Sequence, residues 1–161
     1  TLPWDHKSWH CASGKNGSGN NTHIGVEMCE PDCIKYTQGA NFTCTDIERA
    51  RAFAERTYKS AVELFAHLCA KFSLIPLEKG VIIGHNEGFT LGLASNHADP
   101  EHLWKGLKMP YTMDGFRQDV YNMMTPSYYR VQVGAYLLKS NAEAMQKKIK
   151  AVGFDAFIVK E

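Results

Sequence analysis

The sequence has no C-x-x-C pair, no run of basic residues, no His-Glu-x-x-His and no apolar stretch close to the roughly 20 residues that cross a bilayer. Each absence narrows the reading. Without C-x-x-C, the five cysteines (Cys11, Cys29, Cys33, Cys44 and Cys69) do not form a structural zinc knuckle. Eighteen Lys and Arg against seventeen Asp and Glu leave a net charge of +1, spread along the chain, so nucleic acid is not an expected partner. The missing His-Glu-x-x-His argues against a zinc peptidase of that type. No membrane span is expected. The chain opens at Thr1-Leu2-Pro3-Trp4 with neither an initiator Met nor a signal peptide, which reads as the interior of a longer protein.

What is present is ordinary globular material: 161 residues, 44% of them hydrophobic, enough for one medium domain or a small domain with an appendage. Residues 10–21 are rich in Gly, Ser and Asn and read as a loop. Thr22 to Cys29 alternates, with Ile24, Val26 and Met28 against His23, Gly25 and Glu27. This predicts a strand with Glu27 on the face away from the core. Cys33 and Cys44 flank a turn-rich stretch, and a hairpin there would bring them within disulfide range. Thr45-Asp46-Ile47-Glu48 has the form of a capping box with Thr45 as the cap. Apolar residues from Ile47 to Phe72 then recur every three or four positions, the period of an amphipathic helix that Pro76 closes.

Gly80-Val81-Ile82-Ile83-Gly84 reads as a short buried strand with His85 at its end, followed by a long polar loop over 86–100. A helix is expected near 112–124 and a linker at 125–128. The tail repeats the strand–helix–strand pattern: Tyr129 to Gly134 alternates, Ser140-Asn141-Ala142-Glu143 has the form of a second capping box, Gly153 is a helix stop, and Asp155 to Val159 is a last strand. The predicted fold class is α/β: a central mixed β-sheet flanked by helices over 1–124, then a partial β-α-β unit over 129–161. That half unit holds too little core to stand alone.

Trp9-His10, Ile24-Gly25-Val26-Glu27, Gly84-His85 and Asn96-His97-Ala98-Asp99-Pro100, in this order and spacing, resemble the N-acetylmuramoyl-L-alanine amidase family, which shares its fold with peptidoglycan recognition proteins. Residues 129–159 resemble the first half of a SPOR repeat, a peptidoglycan-binding module. The resemblance implies a Zn2+ ion held by His85 and Asp99, with Glu27 as general base and His97 beside the reacting carbonyl. It implies peptidoglycan as substrate and partner, cut between N-acetylmuramic acid and L-alanine, and a secreted or cell-wall-associated bacterial or phage protein. Trp9, His10 and Asn21 in the Asn-rich loop are candidates to line the substrate groove.

In that family another zinc histidine lies on a strand well upstream of the position of Glu27. Only 26 residues precede Glu27 here, too few to contain that strand. The expectation is an incomplete zinc site, an open sheet edge and a tendency to self-associate. His23 and His102 are spare histidines that could replace the ligand. A non-catalytic peptidoglycan-binding module is the alternative function.

Overall fold

The structure is a computed structural model that describes residues 3–125 and 131–160. Its contacts divide the chain into two units, Thr1–Pro126 and Ser127–Glu161. The secondary structure is mixed: five α-helices and one small antiparallel sheet among the described residues.

The long helix α1 spans Ile47–Phe72. Its N-cap is Asp46 and not Thr45: the Asp46 carboxylate accepts the Arg49 N–H at 3.0 Å. Thr45 is drawn into the hairpin, where its N–H and its hydroxyl both reach the Cys33 carbonyl. The helix stops at Ser73, which takes a left-handed conformation (φ 54°), while the Leu74 N–H bonds back to the Cys69 carbonyl at 2.9 Å. Ala50, Ala54, Tyr58, Ala61, Val62, Ala66, Leu68 and Cys69 form its buried stripe. Ile47 and Phe72, at the ends of the same stripe, stay exposed.

Against α1 packs α4 (Met113–Met124), capped by the Thr112 hydroxyl, which accepts the Gly115 N–H at 3.0 Å. Tyr58 is the hub between them. Its ring stacks on Tyr111 at 3.9 Å and meets Trp104 and Phe116 edge-on, while its hydroxyl donates to Asp119 at 2.7 Å. Burial and that hydrogen bond push the Tyr58 pKa well up. A second cluster joins Ala50 and Ala54 to Leu103 and Leu107 and reaches the hairpin through Ile34 and Phe42.

The expected central mixed sheet is not found among the described residues. The one sheet is a hairpin, β1 (Ile34–Tyr36) with β2 (Phe42–Cys44), in the register Ile34↔Cys44, Lys35↔Thr43, Tyr36↔Phe42. Residues 24–30 are irregular, and residues 80–84 form a turn leading to the helix cap at Gly84. Alternation in sequence sorts side chains to two faces, but a strand also needs a neighbour for its backbone groups. Neither segment has one here. The hairpin brings Cys33 and Cys44 together as expected; both thiols are free. Partial burial and the neighbouring Cys44 push the Cys33 thiol up.

The loop expected over 86–100 contains α2 (His85–Thr90), and α3 (Glu101–Gly106) follows it. Gly84 caps α2, with its N–H held by the Glu87 carboxylate at 2.8 Å. Glu87 in turn pairs with Arg117 of α4, whose Nε donates to the Ile82 carbonyl at 2.9 Å. The start of α2 is therefore bolted to the core.

In the second unit, α5 spans Lys139–Ala151 with Leu138 at the N-cap position. Ser140 lies inside the first turn, so the expected capping box does not form. Gly153 (φ 90°) follows the helix end as expected. Among the described residues, 131–136 and 154–160 have no ladder partner; Tyr129 and Arg130 of the expected first strand lie outside the described residues. Of the expected linker, only Thr125 is described.

Candidate metal centre and substrate cavity

Two loops and the start of α2 build the site. Asn20, nearly fully buried, organises the first loop. Its side-chain oxygen accepts the His10 and Cys11 N–H groups at 2.9 and 3.0 Å, and its amide donates to the Ala12 carbonyl at 3.1 Å. This loop is strapped to residues 91–95. Asn16 N–H bonds to Gly92 O, Gly19 N–H to Leu93 O, and Ser95 N–H to Cys11 O, all at 2.8–2.9 Å. Gly14 permits the approach: a Cβ there would stand 2.3 Å from the Gly92 carbonyl carbon. Gly25 does the same for the His10 ring, which a Cβ would meet at 2.2 Å.

Asp99 comes to His85 through the backbone as well as the side chain. The His85 N–H donates to the Asp99 carbonyl at 3.1 Å, and His85 Nδ1 lies 3.5 Å from Asp99 Oδ2. The His97 ring sits 4.6 Å from the His85 ring, centre to centre. His85, His97 and Asp99 each offer a donor atom within 4.8 Å of the others, a group able to hold a metal ion. Two imidazoles and a carboxylate are the donor set zinc accepts. The His85 side chain is 12% exposed and that of Asp99 48%, so one side of the group is open.

The group lies on a cavity of about 940 Å³ that is also lined by Trp9, His10 and Glu27. Glu27 is exposed to it, on the segment expected to be a strand. Asn21 is not among the lining residues. It closes a 3-10 turn over Gly19–Asn21, its N–H bonded to the Ser18 carbonyl, while its neighbour Asn20 does the structural work.

Neither spare histidine joins the metal group. The His23 ring bonds to the Gly80 carbonyl at 2.9 Å, and His102 Nε2 lies 2.6 Å from the Tyr36 hydroxyl. Tyr36 also donates to Glu30 at 2.7 Å, and burial together with that bond raises its pKa, so the hydroxyl stays protonated. Sequence reading missed Tyr36, Glu30 and Ser95 on this cavity. The hairpin that carries Tyr36 was legible, but which loop it faces was not.

A family profile described as N-acetylmuramoyl-L-alanine amidase matches residues 1–102, well over half of the chain, and the chain belongs to that family. A SPOR domain profile matches residues 125–161. A stretch of 29 residues is 52% identical to the N-acetylmuramoyl-L-alanine amidase CwlH of Bacillus subtilis (strain 168); it covers 18% of this chain and 12% of that protein. No solved structure matches it significantly. No helix among the described residues is long and apolar enough to cross a membrane.

Proposed function

We propose that this chain carries the catalytic region of a zinc-dependent peptidoglycan amidase, residues 1–124, joined through 125–128 to part of a SPOR-like glycan-binding unit over 129–161. The observation that carries the reading is the convergence of His85, His97 and Asp99 on the cavity lined by Glu27. Family membership points the same way. Peptidoglycan is the partner of both regions in this reading, and the cell wall is where the protein acts.

His85 and Asp99 hold the ion, which when bound supplies a Lewis acid and water with a pKa near 7. Glu27 takes a proton from the attacking water at its carboxylate and returns it to the leaving amide nitrogen. His97 donates a hydrogen bond to the oxygen that becomes negatively charged. Trp9 and His10 border the cavity and supply an aromatic wall for the sugar. The scissile amide is the one joining N-acetylmuramic acid to L-alanine.

A second reading of His97 is favoured by its position in the three-donor group: it occupies the ligand place for which His23 and His102 are otherwise engaged. Zinc stoichiometry and release of free amino-terminal alanine from cell walls separate the roles. His85→Ala and Asp99→Ala strip the metal. His97→Ala keeps the metal and loses rate if it binds the oxyanion, and loses the metal if it is a ligand. Glu27→Gln keeps the fold and the metal, with turnover down about a hundredfold. A chain that sediments with cell walls but neither binds zinc nor releases alanine is a binding module, and the amidase reading is then withdrawn.

A further inference from the structure

His85 has two ring nitrogens, and the structure gives them different neighbours. Nδ1 faces Asp99 at 3.5 Å, outside the range of a good N–H···O bond. Nε2 lies 3.2 Å from the Ser95 hydroxyl oxygen. The ring is 12% exposed, so a nitrogen turned inward needs a partner, and Ser95 is the one Nε2 has among the described residues.

Ser95 is itself held. Its N–H donates to the Cys11 carbonyl at 2.9 Å, and two residues earlier the Leu93 carbonyl accepts the Gly19 N–H at 2.8 Å. Both anchors lie in the loop organised by Asn20. The wall that borders the cavity thus fixes where the Ser95 hydroxyl stands.

We propose that Ser95 is a positioning residue for His85: its Oγ accepts the Nε2–H proton, fixes the imidazole as the Nε2–H tautomer, and turns the Nδ1 lone pair toward Asp99 and the metal position. A ligating imidazole must present a bare nitrogen, and the group on the other nitrogen decides which one is bare. A hydroxyl does this without adding charge. The proposal rests on the metal-site reading of His85 and Asp99.

Its test compares the wild-type chain with Ser95→Ala and Ser95→Thr, each checked for an unchanged circular dichroism spectrum. Zinc affinity is measured by competition with a chromophoric chelator. The expected loss in Ser95→Ala is about tenfold or more, the usual scale for removing an outer partner of a ligating histidine, with Ser95→Thr close to wild type. The His85 tautomer is read separately by nitrogen-15 correlation NMR on the metal-free chain, at a pH where the ring is neutral. Wild type and Ser95→Thr are expected as Nε2–H, and Ser95→Ala as a mixture. Equal zinc affinity in wild type and Ser95→Ala overturns the proposal and leaves the metal site standing. If the wild type takes up no zinc, the metal reading fails, and the tautomer decides the role of Ser95 alone. An Nδ1–H tautomer in the wild type overturns it.

Discussion

Helices α1 and α5 carry the same kind of sequence pattern, apolar residues every three or four positions, yet they end in different states. Eight residues of α1 are buried; none of α5 is. Around α5, Val152, Phe154, Phe157 and Val159 are all more than half exposed. Periodicity names the face that would be covered, while burial depends on what stands opposite. For α1 that is α4, with Trp104, Tyr111 and Phe116 closing over Tyr58. The stabilising term follows the area removed from water, so among the described residues the pattern removes a stripe from water in α1 and none in α5.

The strongest way to break this comparison is to cut into the covered side. Trp104 is 1% exposed, and Trp104→Ala is expected to cost about 3–5 kcal/mol, read as a fall in the urea midpoint. An effect below about 1 kcal/mol would mean that the α1–α4 core is not what holds the first unit. Tyr58→Phe removes only the bond to Asp119, whose carboxylate is exposed and returns to water; the expected loss is about 1 kcal/mol by the same measurement. Asp46→Ala, by removing the α1 cap, is also expected to cost about 1 kcal/mol, and Asp46→Asn only a fraction of that. Thr45→Val, by contrast, should not reproduce the loss of the cap. At the bottom of the scale, Phe157→Ala should change the urea-derived stability of the first unit by less than about 0.5 kcal/mol, since the side chain is 77% exposed. A larger loss would show that α5 and its flanks are covered in solution.

The cavity teaches a related lesson. Its walls are irregular backbone, and their order comes from particular hydrogen bonds: Asn20 to His10 and Cys11, Ser95 to Cys11, Glu87 to Gly84. The family resemblance pointed to His85 and Asp99, which the structure places in backbone contact. The sequence also put Glu27 on the face away from the core, where it lines the cavity, though through a strand that does not form. It did not point to Ser95, because a serine ten residues beyond a histidine carries no signal until α2 turns the chain back. Asn21 was singled out where the buried Asn20 does the work: composition marks an Asn-rich loop, but which amide turns inward is a matter of packing.

By itself the sequence determined the long helix α1, the helix at 113–124, the hairpin between Cys33 and Cys44 and the tail helix, because these rest on local spacing and on side-chain chemistry. The tertiary structure decided the rest. It decided that residues 24–30 and 80–84 have no strand partner among the described residues, since a ladder is a property of two segments. It decided that Asp46 and not Thr45 caps α1, since the hairpin claims Thr45 first. And it decided that His97 stands with His85 and Asp99 while His23 and His102 are held by Gly80 and Tyr36, since a donor atom reaches a shared ion only where the folded backbone points it.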